Sequence, residues 1–345
     1  MRMKAAFFEG PGRPFVFRDV PLPHVGKKDV LVKVEACGIC HTDYSVFSGR
    51  YKPRTEPPYI MGHEIVGTVE ACGEDASSLS VGTRVLVSPI ESCGECRFCR
   101  SGLDNLCENR KVLGMDRNGG FAEYVAVPEK NLIPVNDRYA PEQWSLLVDA
   151  VSTGYHAIRA NAPKENDTVV VFGLGGLGFS AVLILRQLYS CRVIGVDVTP
   201  ERLAGAASVG VETVLSKTPE ETVAEIRKMT GGSGADLVFE FVGRPETYQA
   251  AALCARCGGQ VVFIGAGDFS LQIPAAKLYR DEVRYTGAYS TTFADLCACV
   301  EDVKTGRLRL DALEIVTLPA EEINRGMKMF EQPNRTWNRV VTLWK

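Results

Sequence analysis

The sequence predicts an α/β protein with two domains, a β-rich domain and a doubly wound parallel sheet. Its 345 residues are enough for two domains of ordinary size. Up to about Val148, runs rich in Val and Ile, such as Val30–Ala36 and Ile65–Ala71, are separated by turn residues. After about Val151, short apolar runs alternate with segments of helical spacing, which is typical of βαβ units.

Short apolar runs in the second half of the chain predict the strands of the parallel sheet: Val169–Phe172, Val193–Val196, Ala235–Phe239 and Gln260–Ile264. The predicted helices between them begin at prolines: Pro200–Val209, Pro219–Thr230 and Pro245–Arg256. Beyond about Ala288 the pattern is mixed, and it ends in the strand-like Arg339–Trp344. We therefore expect one domain of residues 1–150 and 288–345, and a parallel-sheet domain of residues 151–287.

The composition is that of a globular protein without a nucleic-acid partner. Lys and Arg number 39 against 42 Asp and Glu, so the formal net charge is −3. The uncharged stretch Thr168–Leu185 approaches the length of a membrane span, but its central glycines favour a strand, a turn and a helix. The first nine residues lack the apolar core of a signal peptide. We therefore expect a soluble, cytoplasmic protein.

A glycine-rich turn follows the first strand of the parallel sheet. Val169–Phe172 leads into Gly173-Leu174-Gly175-Gly176-Leu177-Gly178, which has the pattern G-x-G-x-x-G. Gly173 permits a tight turn and Gly175 allows close approach of a pyrophosphate, whereas Gly178 lets the following helix pack closely. A strand, this turn and a helix in succession predict a dinucleotide site.

An acidic residue ends the next predicted strand. Asp197 can hydrogen-bond the ribose hydroxyls of a nicotinamide dinucleotide and would repel a 2′-phosphate. Arg202, five residues further on, could instead reach such a phosphate. On balance the pattern predicts that NAD is preferred over NADP.

Four of the twelve cysteines form a cluster, which we call the cysteine lobe: Cys93, Cys96, Cys99 and Cys107. Four thiolates at this spacing suit a tetrahedral zinc ion that is closed to solvent, and hence structural. A nucleic-acid-binding zinc ribbon is the alternative, but the flanking charge is balanced rather than basic.

A second group of zinc-ligand residue types is incomplete. Cys40 and His63 lie in the segments Cys37–Asp43 and Gly62–Glu64, and a third ligand must come from further along the chain. Three protein ligands and an open fourth position are what a catalytic zinc requires.

With these motifs, the sequence resembles the zinc-containing medium-chain alcohol dehydrogenase family over essentially its whole length. The matching motifs are Gly38–Asp43, Gly62–Glu64, the cysteine lobe, Gly119–Tyr124, Ser152–Tyr155 and the glycine-rich turn. The resemblance implies a GroES-like catalytic domain and a Rossmann domain. It also implies reversible hydride transfer between an alcohol and NAD(H), two zinc ions per chain, and zinc acting as a Lewis acid.

The resemblance also implies roles for single residues around the catalytic zinc. Cys40 and His63 are ligands, while Cys37 is not. Asp43 orients His63, and Glu64 lies beside the metal. Thr42 touches the substrate oxygen and accepts its proton.

Further residues are expected to serve the cofactor. By the same resemblance, Arg339 contacts the pyrophosphate, and Leu177 and Thr153 pack near the nicotinamide. The predicted cofactor site also includes Gly176 and His41.

The sequence departs from the family pattern at two positions. Asp149 stands where many members have a cysteine or a glutamate, and a few resemble this chain in having aspartate. We predict that Asp149 is the third ligand, because carboxylate oxygen binds zinc well. Ser45 replaces a histidine that ends the proton relay in several relatives, so His41 or ribose hydroxyls with water would serve instead.

Three other functions remain open at this point: a polyol or sugar dehydrogenase, a cyclic hydroxyacyl-CoA dehydrogenase, and a catalytically dead cofactor-binding protein. The expected partner is a small-molecule alcohol or carbonyl compound, with neither nucleic acid nor membrane. The resemblance further predicts a homodimer or homotetramer, with Val283–Ala288 at the edge of the Rossmann sheet.

Overall fold

A computed structural model describes residues 1–267, 270–332 and 335–344. Its strands are β1 (Arg2–Phe8), β2 (Val16–Pro21), β3 (Asp29–Ile39), β4 (Tyr59–Ile60), β5 (Glu64–Cys72), β6 (Arg84–Val87), β7 (Ile90–Glu91), β8 (Lys111–Val112), β9 (Tyr124–Pro128), β10 (Leu132–Pro134), β11 (Thr168–Phe172), β12 (Arg192–Asp197), β13 (Glu212–Leu215), β14 (Ala235–Glu240), β15 (Ala255–Phe263), β16 (Arg284–Gly287), β17 (Ile315–Pro319) and β18 (Arg339–Leu343). Its α-helices are α1 (His41–Phe47), α2 (Arg97–Arg100), α3 (Pro141–Ser145), α4 (Ser152–Ala160), α5 (Gly176–Leu188), α6 (Pro200–Ser208), α7 (Pro219–Met229), α8 (Pro245–Cys254), α9 (Ala275–Tyr279), α10 (Phe293–Lys304) and α11 (Ile323–Met329).

The residue contacts divide the chain into two compact units. The first comprises Met1–Ser152, Thr292–Lys304 and Glu314–Lys345, and the second comprises Thr153–Thr291 and Thr305–Leu313. These bounds differ from the expected 151–287 because residues 288–291 and 305–313 also group with the second unit. There the Gln187 side chain on α5 donates to the Arg309 carbonyl at 3.1 Å and accepts from the Arg309 amide at 2.8 Å.

The first unit is built on a seven-stranded sheet in the order β10-β6-β5-β3-β18-β17, with β9 also paired to β3. The long strand β3 pairs with β5 and with β18, both antiparallel. Its alternate residues Val30, Val32 and Val34 are buried in the core of this unit. The arrangement places the end of β3 beside the start of β5 and of β18.

The second unit contains a six-stranded sheet in the order β13-β12-β11-β14-β15-β16, and its strand pairs are parallel. This is the doubly wound order of a dinucleotide-binding fold. Helix α8 ends two residues earlier than the sequence predicts, because Ala255 already pairs with Ala235 of β14 and so begins β15.

The uncharged stretch Thr168–Leu185 is divided between a strand and a helix. Strand β11 and helix α5 are separated by the glycine-rich turn, and the middle of each is buried. Among the residues that the structure describes, no helix is long and apolar enough to cross a membrane.

Candidate metal centres and dinucleotide-binding turn

The cysteine lobe brings four sulfur atoms together. The Sγ atoms of Cys93 and Cys107 are 3.4 Å apart, those of Cys96 and Cys99 are 3.5 Å apart, and those of Cys93 and Cys99 are 3.9 Å apart. In a tetrahedral site with Zn–S bonds of about 2.3 Å, neighbouring sulfurs lie roughly 3.8 Å apart. The four cysteines therefore fit a closed zinc site.

Backbone amides of the lobe point at two of these sulfurs. They lower the pKa of Cys93, with the amide of Glu95 contributing most, and they lower the pKa of Cys96 to about 6. Hydrogen bonds to the thiolate favour the form that binds zinc. The backbone thus favours the thiolate at Cys93 and Cys96, whereas burial raises the pKa of Cys99 to about 12.

Cys40 lies between the end of β3 and the first residue of α1. Its sulfur accepts a hydrogen bond from the backbone amide of Thr42 at 3.4 Å, and its own amide donates to Asp43 Oδ2 at 2.8 Å. Together these contacts cap the helix. The Cys40 side chain is therefore held by the start of the helix rather than by a mobile loop.

His63 and Asp149 complete the group. His63 precedes β5, and its Nδ1 lies 3.3 Å from Asp43 Oδ1, so Nε2 is the nitrogen left for a metal. Asp149 follows a short 3₁₀ helix, and its Oδ2 lies 3.1 Å from Cys40 Sγ. Ligand-type atoms of Cys40, His63, Glu64 and Asp149 all lie within 4.8 Å of one another. We call these four residues the acidic ligand cluster.

The electrostatics of the acidic ligand cluster favour a bound cation. Burial raises the pKa of Cys40, and the neighbouring Asp149 raises it further. Burial likewise raises the pKa of Glu64 to about 8, although Arg339 opposes this shift. Burial alone would lower the pKa of His63, but Asp43 and Cys40 raise it well above its usual value. A divalent cation among these groups would offset their mutual repulsion, so the donor set fits zinc.

Arg339 has a different environment from the one expected of a pyrophosphate contact. Its Nη2 lies 2.6 Å from Glu64 Oε1 and 3.2 Å from Asp149 Oδ2. Burial would lower its pKa, but these acidic neighbours raise it above its usual range. A contact between Arg339 and a pyrophosphate stays a prediction. Sequence reasoning missed its ion pairs, although Arg339 opens the strand beside β3.

The proposed proton path begins at Thr42. Its Oγ1 lies 3.7 Å from Cys40 Sγ, which places the hydroxyl beside the acidic ligand cluster. On the same helix, Ser45 Oγ lies 3.4 Å from the exposed His41 Nδ1. Ser45, at the position of the relay histidine of several relatives, therefore lies close to His41, one helical turn earlier.

The glycine-rich turn has the backbone that its sequence predicts. Gly173 has a φ of +84°, which favours glycine, and Gly175 is the N-cap of α5. A Cβ at Gly178 would lie 1.7 Å from the Gly173 carbonyl oxygen, so no larger residue fits. In contrast, a Cβ at Gly175 would meet no heavy atom within 4 Å, which leaves space for a ligand. Leu177 is half-buried in the first turn of α5, and Thr153 is buried in α4.

Asp197 forms contacts that sequence reasoning missed. Its Oδ2 accepts a hydrogen bond from the Leu174 amide at 2.7 Å, and its Oδ1 accepts one from the Thr199 amide at 2.9 Å. Arg202 Nη1 lies 3.5 Å from the same Oδ2. The carboxylate therefore stabilises the glycine-rich turn and also faces the arginine that could favour a 2′-phosphate.

Two family profiles match this chain. Residues 26–137 match the family described as "Alcohol dehydrogenase GroES-like domain", and residues 176–304 match "Zinc-binding dehydrogenase". The first unit and the parallel-sheet unit therefore correspond to the two parts of a zinc-binding dehydrogenase.

Similar proteins extend the match over nearly the whole chain. An NAD-dependent alcohol dehydrogenase of Sulfurisphaera tokodaii is 31% identical over 96% of this chain and 97% of its own length. An L-threonine 3-dehydrogenase of Symbiobacterium thermophilum is 34% identical over 80% of this chain and 78% of its own. The crystal structure of an alcohol dehydrogenase from Aeropyrum pernix aligns with a TM-score of 0.90 at 28% identity, covering 99% of both chains.

The fold and the sites define a zinc-dependent oxidoreductase. The chain belongs to the zinc-containing medium-chain alcohol dehydrogenase family. The predicted family and the predicted fold class, a GroES-like domain plus a Rossmann domain, are confirmed.

Proposed function

We propose that Cys40, His63 and Asp149 hold the catalytic zinc of an enzyme that interconverts an alcohol and a carbonyl compound. The observation that carries this proposal is the acidic ligand cluster, whose four ligand-type atoms lie within 4.8 Å of one another. The alcohol dehydrogenase activity predicted from the sequence is confirmed by the family, and NAD(H) as the cofactor is confirmed by its NAD-dependent relatives. The cysteine lobe is proposed to hold a second, structural zinc.

Each side chain of the site has a role that its contacts support. Zinc bound there supplies a Lewis acid, which lowers the pKa of an alcohol. Asp43 fixes the ring of His63 through Nδ1, and the Thr42 amide fixes the Cys40 sulfur. The glycine-rich turn would hold the pyrophosphate of NAD(H), which would accept the hydride as NAD⁺ or donate it as NADH.

The proton path proposed here does not use the relay histidine that several relatives have at the position of Ser45. Thr42 accepts the alcohol proton, since its hydroxyl lies beside Cys40. Ser45 and His41 then offer a route to solvent, because they contact each other and His41 is exposed. Ribose hydroxyls and water would connect Thr42 to this pair.

The cofactor preference can be tested at Asp197. Asp197→Asn keeps an oxygen that accepts from the Leu174 amide but removes the negative charge beside Arg202. We expect the KM for NAD to rise on the order of tenfold and the preference over NADP to narrow, because a charged hydrogen-bond acceptor is lost. Steady-state kinetics with both cofactors provide the measurement. A wild-type enzyme that uses NADP faster than NAD at equal concentration would show that Arg202 outweighs Asp197.

The substrate class is tested by assaying simple alcohols, polyols, L-threonine and hydroxyacyl-CoA compounds side by side with NAD. We propose that simple alcohols give the highest kcat/KM, since one matched profile is that of an alcohol dehydrogenase domain and several relatives are alcohol dehydrogenases. A higher kcat/KM for a polyol or an acyl-CoA alcohol would select one of those alternatives. No turnover with any compound at full zinc occupancy would indicate a cofactor-binding protein without activity.

The chain is proposed to form a homodimer or homotetramer through the edge of its parallel sheet. Strand β16 is the last strand in the sheet order, and three of its four residues are exposed. An open edge of this kind offers unpaired backbone groups to a second copy. Light scattering should give a multiple of 37.6 kDa, whereas the monomer mass across micromolar concentrations would contradict the proposal.

The location proposed for this protein is the cytoplasm. None of the twelve cysteines, all within the described residues, forms a disulfide. Cysteines that are not joined in disulfides suit a reducing compartment.

A further inference from the structure

Arg339 joins two buried carboxylates, one of which is the proposed zinc ligand Asp149. Its Nη2 lies 2.6 Å from Glu64 Oε1 and 3.2 Å from Asp149 Oδ2. The side chains of Arg339 and Glu64 are 3% and 0% exposed, so water screens their ion pair little. The Asp149 oxygen that Arg339 contacts is also the one that lies 3.1 Å from Cys40 Sγ. The arginine therefore contacts the oxygen that faces the Cys40 sulfur.

The sheet explains why Arg339 meets Glu64. Strand β3 lies between β5 and β18, and Gly38 of β3 pairs with Glu64 on one side and with Val341 on the other. A Cβ at Gly38 would lie 2.0 Å from Glu64 Oε2. The missing side chain at Gly38 thus leaves room for Glu64 to reach across β3 towards Arg339.

Asp149 itself lies in a turn, outside the strands and helices. It follows the 3₁₀ helix Leu146–Val148 with φ −136° and ψ −57°, which is outside both helical and extended geometry. Its carboxylate lies among the side chains of Cys40 and Glu64, with Oδ2 3.1 Å from Cys40 Sγ. Arg339 brings a positive charge to this carboxylate.

We propose that Arg339 is a positioning residue for Asp149. Anchored on Glu64, its guanidinium holds the Asp149 carboxylate in place to bind zinc together with Cys40 and His63. This inference rests on the ligand set proposed above.

A double-mutant cycle tests the inference through zinc affinity rather than activity. The variants are Arg339→Gln, Asp149→Cys and the two combined, each in the full chain. Zinc affinity of the Cys40 site is measured by competition with a chromophoric chelator too weak to remove the lobe zinc. In the chain that keeps Asp149, Arg339→Gln should weaken zinc binding on the order of 10–100-fold. Losses of this size are typical when a contact that supports a metal ligand is removed. Arg339→Gln should change affinity by less than about threefold in the Asp149→Cys chain, where no ligand carboxylate remains to be positioned.

Arg84→Gln is a matched control. Arg84 also contacts two carboxylates, Glu35 at 3.2 Å and Asp137 at 2.9 Å, and neither belongs to the acidic ligand cluster. This variant should leave zinc affinity unchanged. If Arg339→Gln gives no cooperative thermal transition, Arg339→Lys replaces it in both backgrounds, because lysine keeps the charge but lacks the planar fork.

The outcomes separate this inference from the ligand set. Equal weakening in the Asp149 and Asp149→Cys chains would overturn the positioning role. Unchanged zinc affinity together with weaker NADH binding would also overturn it and would assign Arg339 to the pyrophosphate. If Asp149→Asn itself leaves zinc affinity unchanged, the ligand set fails. If Asp149→Asn weakens zinc binding but Arg339→Gln does not, the ligand set stands and only the inference fails.

Discussion

Asp149→Asn should weaken zinc binding at the Cys40 site on the order of 10–100-fold or more, because it removes a charged ligand. The change is nearly isosteric, so the 3₁₀ helix before it and the buried Cys40 should keep their places. Turnover at limiting zinc should fall with the affinity. NADH affinity should change by less than about twofold, because the glycine-rich turn belongs to the other unit.

Asp137→Asn is the control for this variant. The Asp137 side chain is 98% exposed and contacts Arg84 in the same unit. Its removal should leave zinc content, NADH affinity and turnover unchanged, since exposed ion pairs contribute little. Equal zinc affinity in wild type and Asp149→Asn would remove Asp149 from the ligand set and leave Glu64 as the carboxylate ligand.

Substitutions in the glycine-rich turn should give the second large effect. Gly178→Ala should lower stability, whereas Gly175→Ala should weaken NADH binding. Gly178→Ala should destabilise the chain on the order of 1–3 kcal/mol or more, because its Cβ would lie 1.7 Å from the Gly173 carbonyl oxygen. Gly175→Ala should leave the thermal transition nearly unchanged, since its Cβ meets no atom within 4 Å and its φ is −71°. That Cβ should nevertheless weaken NADH binding at least about tenfold, because it occupies the space through which a pyrophosphate approaches.

Thermal unfolding and NADH fluorescence titration measure the two effects separately. Gly205→Ala in α6 is the control, because its Cβ would lie 3.8 Å from the nearest atom, on the Phe179 ring. It should stabilise the helix by about 0.5–1 kcal/mol and leave NADH binding unchanged. Normal NADH affinity in Gly175→Ala would place the dinucleotide elsewhere than on this turn.

Local sequence patterns predicted the elements that carry the sites. The run Val169–Phe172 followed by glycines predicts a strand and a turn, and β11 and α5 are found there. Cysteine spacing likewise predicted the lobe, since its four residues lie within fifteen positions and their sulfurs meet. These features can be predicted because each is formed by residues that are close together in the sequence.

Contacts between residues that are far apart in the sequence could not be predicted from it. The ion pairs of Arg339 join positions 64, 149 and 339. Only the order β5-β3-β18 brings Glu64 and Arg339 to the two sides of β3. The bond from the Leu174 amide to Asp197 was missed for the same reason, because it depends on the parallel pairing of β11 with β12. The grouping of residues 305–313 with the second unit depends on Gln187, more than a hundred positions earlier.

The central claim is that Cys40, His63 and Asp149 hold a catalytic zinc distinct from that of the cysteine lobe. A crystal structure of the zinc-loaded chain, with anomalous data at the zinc edge, tests it most directly. We expect two zinc peaks per chain, one among the four lobe sulfurs and one with an Asp149 oxygen at about 2.0–2.2 Å. A single peak, or a zinc held by Cys40, His63 and Glu64 with the Asp149 carboxylate beyond that distance, would contradict it.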